Sequence, residues 1–188
     1  MPLNLPNLVT LLRILLIPLI VGVFYLPDEW LSYTAKNATA TGVFIFAAVT
    51  DWLDGYLARR LNQMSAFGAF FDPVADKLVV VGALIVLLKL GRVDMVVGLI
   101  IIGREIAISA LREWMATVGQ GKSVAVAFIG KLKTVLQMVA IPLLLFDDRL
   151  FEFIDCYVLG TLLIYVAALL TVVSMLYYLR RALPLLRG

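Results

Sequence analysis

Histidine is absent from the 188 residues, and cysteine occurs once, at Cys156. The first absence removes imidazole bases, histidine metal ligands and Ser-His-Asp triads. Carboxylates, lysines and arginines are the main reactive groups left. The second absence excludes a disulfide framework or a thiolate metal site, and Cys156 reads as a packing residue. No internal repeat, low-complexity tract or soluble linker appears, so a single domain over residues 1–188 is expected. The parts of a cleaved leader are missing too. No basic residue precedes the first apolar run, Arg13 and Pro18 sit inside it, and no small-residue cleavage site follows before Pro27. That run reads as an uncleaved first span.

What remains is apolar. Hydrophobic residues make up 63% of the chain, and the mean hydropathy is +1.02, well above the roughly 45–50% apolar share of a soluble domain. Runs of about 20 apolar residues recur, each long enough to cross a ~30 Å hydrocarbon core. The expected fold is therefore an all-α integral membrane protein of about six transmembrane helices, near Leu8–Leu26, Ala38–Ala58, Pro73–Leu90, Val93–Trp114, Val124–Phe146 and Tyr157–Leu179. Basic residues, among them Arg59, Arg60, Lys77, Arg112, Lys122, Lys131, Lys133, Arg180 and Arg181, gather toward one face. By the excess of Lys and Arg on cytoplasmic loops, that face and both termini are expected in the cytoplasm. Membrane lipids are the expected surroundings, and no nucleic-acid partner is expected.

Within this chain the stretch DWLDGYLARRLNQMSAFGAFFDPVADK, Asp51 to Lys77, holds four aspartates. Asp51 and Asp54 are spaced i, i+3 near the end of the second span. Asp72 and Asp76 are spaced i, i+4 at the start of the third. Each pair shares one helix face, and a short connection brings the two acidic ends level. An aspartate at mid-bilayer costs ~2.5–3.5 kcal/mol on insertion scales, and four together repel one another. An oxygen-only set suits hard divalent ions, Mg2+ or Mn2+. Four aspartates suffice for two such ions, an arrangement that stabilises entering and leaving oxygens in phosphoryl displacement. Two other readings compete: a carboxylate-lined cation pathway, or structural pairing with Arg59, Arg60 and Lys77.

The joint spacing Asp51-x2-Asp54-Gly55-x2-Ala58-Arg59-x8-Gly68-x3-Asp72-x3-Asp76 resembles the signature of the CDP-alcohol phosphotransferase family, integral membrane enzymes of phospholipid synthesis. The resemblance implies that Asp51, Asp54, Asp72 and Asp76 hold two divalent cations. It also implies that Asp76 serves as general base on the acceptor hydroxyl, although on chemistry alone it is equally a plain ligand. Gly55 and Ala58 would lie against a cytidine nucleotide, and Arg59 would meet its phosphates. By the same likeness Asn7, Thr10 and Arg13 belong to the nucleotide end, where chemistry alone reads an interfacial helix start.

The second half bears on the acceptor. Arg104, Arg112, Lys131 and Lys133 lie on the fourth and fifth spans, toward the face of the aspartates. A cationic pocket beside a metal site suits an acceptor that itself carries a phosphate. The competing reading pairs these residues with Glu105 and Glu113, or uses them as interfacial anchors. Lys131 and Lys133, two apart, cannot both point at one site. The segments NLPNLVTLLRILLIP, FGAFFDPVADK and REWMATVGQGKSVAVAFIGKLKT are similar to the bacterial branch of the family that uses CDP-diacylglycerol and sn-glycerol 3-phosphate. That likeness implies phosphatidylglycerophosphate and CMP as products. It also implies a polar cavity open to the cytoplasmic side of the bacterial inner membrane, and a homodimer. An inositol-phosphate transferase is the nearest alternative acceptor, and a cation transporter the alternative class.

Overall fold

The computed structural model describes residues 5–61, 66–117, 128–150 and 153–186; within these, the side chains of residues 5–7, 52–61, 66–70, 112, 116, 128 and 181–186 lie outside the described set. Six long helices make up nearly all of it: α1 (Leu5–Gly22), α2 (Tyr33–Leu61), α3 (Ala66–Lys89), α4 (Met95–Thr117), α5 (Phe128–Phe146) and α6 (Cys156–Leu186). A short 3-10 turn, Val23–Tyr25, continues α1, and a two-residue antiparallel pair, β1 (Arg149–Leu150) with β2 (Ile154–Asp155), precedes α6. At 1.5 Å per residue, even an 18-residue helix reaches about 27 Å. Among the described residues, α1, α5 and α6 contain stretches long and apolar enough to span a bilayer. The chain is an all-α membrane protein.

Local chemistry sets the helix ends. Ser32, Asp94 and Asp155 cap α2, α4 and α6 by accepting hydrogen bonds from the backbone N–H groups of Ala35, Val96 and Val158. At the end of α3, Gly91 takes a left-handed φ of 69°. There the N–H groups of Gly91 and Arg92 donate to the carbonyls of Leu88 and Leu87, closing off the last turn.

Side chains from α1 to α6 fill the interior, with Ile20, Phe44, Leu84, Leu87, Ile101, Ile141, Leu144 and Ile164 at its centre. Large apolar residues such as Leu15, Leu99, Val135 and Leu169 lie on the outside, as expected where lipid replaces water as solvent. The pairing of α5 with α6 is the most extensive, and α1 lies against both α2 and α3. Gly160 makes the α5–α6 approach possible: a Cβ there would come within 2.8 Å of Leu144 and 3.2 Å of the Ala140 carbonyl oxygen.

The helices overrun several expected spans. The third starts at Ala66 rather than Pro73, so Asp72 and Asp76 sit inside a helix instead of at its start. Pro73 lies within it, where it lacks the N–H that would bond the Ala69 carbonyl and its ring crowds that carbonyl. The second runs from Tyr33 to Leu61, which leaves Asp51 well inside α2. In both cases the reason is physical: an apolar run marks the hydrocarbon-embedded part of a helix, and the helix itself continues beyond it. The fifth begins at Phe128, and Val124 lies outside the described residues.

Candidate active site

Three helices meet at the acidic centre. Arg13 on α1 is 1% exposed. Its Nη1 donates to Asp51 Oδ1 of α2 at 2.8 Å and also to Asp76 Oδ1 of α3. One turn earlier, the buried Thr10 donates its hydroxyl to Asp72 Oδ1 at 2.5 Å. Spacings of i, i+3 for Thr10 and Arg13 and i, i+4 for Asp72 and Asp76 put each pair on one face, so α1 and α3 meet through two matched polar contacts. In a membrane interior such groups face one another or a polar cavity, because lipid offers no partner.

The structure thus brings Thr10 and Arg13 directly onto three of the four aspartates. The side chains of Asn7, Asp54, Gly55, Ala58, Arg59 and Arg60 lie outside the described residues. Lys77, one of the cations considered as a structural partner for the aspartates, instead donates to Ser109 on α4.

The donor set at this centre fits a cation. Asp51 and Asp76 direct one oxygen each at a single positively charged nitrogen, so their carboxylates converge on a point where positive charge is held. With the guanidinium there, the cavity bounded by Arg13, Phe44, Ala47, Asp51, Asp76 and Met138 is only about 10 Å³, room for roughly one water. Among the described residues, no group of three potential ligands surrounds one point.

A second polar centre lies between α4, α5 and α6. Arg104 and Lys133 are buried, and Glu105 stands between them. Lys133 pairs with Glu105 Oε1, and Arg104 Nη1 lies 3.6 Å from the same oxygen. Arg104 also donates to Ser174 Oγ at 3.2 Å, and its guanidinium carbon lies 5.9 Å from the centre of the Tyr178 ring. Pairing of the cations with Glu105 is therefore present for Arg104 and Lys133. Lys131 is exposed while Lys133 is buried; residues two apart on a helix face different ways. The Arg112 side chain lies outside the described residues.

Adjoining cavities lie between the two centres. The acidic cavity shares Asp76 and Met138 with a middle compartment of about 100 Å³, lined also by Lys77, Val80, Glu105, Thr134 and Gln137. That compartment in turn shares Glu105 and Thr134 with a cleft of about 330 Å³ bordered by Arg104, Lys131 and Lys133. A ligand lying along this path meets carboxylates at one end, a mixed polar and apolar waist, and cations at the other. Sequence reasoning missed Gln137 and Thr134, and gave Glu105 only the part of a counter-ion. The available signal was a glutamine four residues after Lys133 in an otherwise apolar run, since polar side chains inside a span face a cavity or a partner.

Comparison with known proteins gives this path a context. A profile of the CDP-alcohol phosphatidyltransferase family matches residues 3–173. A protein of Pseudomonas fluorescens named CDP-diacylglycerol–glycerol-3-phosphate 3-phosphatidyltransferase is 50% identical over 190 residues, covering 98% of this chain and 92% of the relative. Proteins of the same name from Escherichia coli (strain K12) and Shigella flexneri serotype 5b (strain 8401) are each 48% identical over 185 residues, 97% of this chain and 96% of the relative.

Proposed function

The chain belongs to the CDP-alcohol phosphatidyltransferase family, and from that premise we propose that it transfers the phosphatidyl group of CDP-diacylglycerol to sn-glycerol 3-phosphate. The products are phosphatidylglycerophosphate and CMP. The observation that carries this reading is the row of adjoining cavities that runs from Asp51 and Asp76 past the middle compartment to Arg104 and Lys133. It has an acidic end suited to a metal-bound pyrophosphate and a basic end suited to a phosphorylated acceptor. All of residues 1–188 act as one catalytic membrane domain.

Asp51, Asp54, Asp72 and Asp76 would hold two divalent cations, Mg2+ or Mn2+. When bound, these supply charge neutralisation to the pyrophosphate and its leaving group. Arg13 and Arg59 add hydrogen bonds to phosphate oxygens, and Asn7, Thr10, Gly55 and Ala58 line the nucleotide end. Arg104, Arg112, Lys131 and Lys133 orient the acceptor phosphate so that the primary hydroxyl reaches Asp76. That carboxylate takes the hydroxyl proton. The acceptor oxygen forms a bond to the phosphorus bearing diacylglycerol, the bond from that phosphorus to CMP breaks, and CMP leaves with the electron pair. Positioning and preorganised charge supply most of the acceleration.

The site and both termini face the cytoplasm in this reading, the membrane is the bacterial inner membrane, and the assembly is a homodimer. The test gives the purified protein CDP-diacylglycerol, Mg2+ and one acceptor at a time. CMP release should require glycerol 3-phosphate, with inositol phosphate a poor substitute. Ion flux without nucleotide, or CMP release indifferent to the acceptor, defeats the assignment.

A further inference from the structure

We infer that Gln137 is the specificity-determining residue that reads the hydroxyl on the central carbon of the acceptor. This rests on the proposed reaction and goes beyond it by naming which feature of the alcohol is recognised and by what. Gln137 is 3% exposed and lines the middle compartment with Asp76 and Glu105. No hydrogen bond ties its carboxamide to another described residue, yet that group carries two donors and an acceptor. Its polar atoms are not among the described buried side-chain atoms cut off from any partner, so they reach the compartment, where an occupant can satisfy them.

Each of the other polar side chains around the compartment has a partner within the protein. Thr134 donates to the Gly130 carbonyl at 3.0 Å, Lys77 to Ser109, Glu105 accepts from Lys133, and Asp76 accepts from Arg13. Gln137 is left facing the cavity with a full set of hydrogen-bonding capacity.

Its place on α5 identifies what it meets. Lys133 and Gln137 are spaced i, i+4, so they share a face about 6 Å apart along the helix. A three-carbon phosphate with its phosphate at Lys133 and its terminal hydroxyl toward Asp76 passes its central carbon across Gln137. A hydroxyl on that carbon both donates to and accepts from the amide. An acceptor lacking it leaves the amide buried and unsatisfied, and sites built to hydrogen-bond a hydroxyl discriminate strongly against analogues that lack one.

The experiment compares two acceptors on the full-length protein in lipid nanodiscs with CDP-diacylglycerol and Mg2+: sn-glycerol 3-phosphate and 3-hydroxypropyl phosphate. The latter keeps the phosphate and the primary hydroxyl but lacks the central one. Wild type should favour glycerol 3-phosphate by about tenfold or more in kcat/KM. Gln137→Met, of similar volume, should bring the two within about threefold, by losing activity on glycerol 3-phosphate while holding it on the analogue. Equal use of both acceptors by wild type overturns the inference, as does a methionine variant that loses on both and keeps the ratio. The wild-type arm needs no variant, so it decides even if the substitution impairs folding. A wild type inactive with glycerol 3-phosphate sinks the proposed reaction itself; an active one indifferent to the central hydroxyl sinks this inference alone.

Discussion

Arg13 and Arg92 are both buried arginines, one near each end of the bundle, and they are satisfied in opposite ways. Arg92 follows the turn after α3 and spends its guanidinium on fixed partners. Nη1 donates to the carbonyls of Leu144 and Leu145 in the last turn of α5, and Nη2 donates to Tyr33 and Asn37 at the start of α2. Asp147 lies 3.0 Å away in an ion pair and holds a left-handed φ of 51° where α5 ends, a conformation Asp tolerates better than most residues. A cation on the free carbonyls of a helix C-terminus also favours the helix dipole. Arg13 instead bridges two carboxylates from two helices. Arg92 joins three elements into a clamp, whereas Arg13 stands where the proposed reaction would place its ions. Burial alone does not separate structure from function; the exchangeability of the partners does.

The largest effect that tests this contrast is on turnover. Asp76→Asn should lower CMP release by about a thousandfold, within the range for a lost general base, while shifting the thermal unfolding midpoint little. If it unfolds the protein instead, the acidic centre is a second clamp and the contrast fails. Next in size, Arg92→Met should destabilise by ~1–3 kcal/mol, because the Leu144 and Leu145 carbonyls lose their donor and the partly exposed Asp147 loses its cation. Denaturant unfolding measures this, and turnover per folded molecule should stay within about twofold.

A third substitution sharpens the difference. Arg13→Gln leaves Asp51 and Asp76 facing each other without positive charge, so its stability should become dependent on divalent ion. Mg2+ at a hundred times its dissociation constant should restore about 2.7 kcal/mol in thermal melts. The same addition should stabilise Arg92→Met no more than it stabilises wild type. The smallest effect is expected at the exposed Lys89, whose ammonium lies 3.5 Å from the centre of the Tyr25 ring. Lys89→Ala should cost ~0.5–1 kcal/mol in the same melts and leave CMP release untouched.

These two arginines also mark how far the sequence can be read. The helices announce themselves as apolar runs, and the aspartates as carboxylates at helical spacing inside those runs, because both signals are local. The partner of Arg13 is not local: Asp51 and Asp76 lie 38 and 63 positions away. On sequence it passed for a nucleotide contact or an interfacial helix start. Nothing near Arg92 in the chain shows that the end of α5 folds back onto it, 52 and 53 positions away. Gln137 was passed over because one polar residue in an apolar helix is uninformative until the helices across from it are known. Helix ends were misjudged for a different reason. Hydropathy reports where lipid stops, whereas capping groups and turn geometry decide where the helix does.

The order of the elements carries a consequence for biogenesis. Arg13 is in α1, whereas Asp51 and Asp76 arrive later, in α2 and α3. During synthesis the cation therefore enters the bilayer before the anions that will surround it. Each incoming carboxylate finds a counter-charge already at depth and need not wait for a metal ion from outside. The nascent chain is thus a self-neutralising insertion substrate.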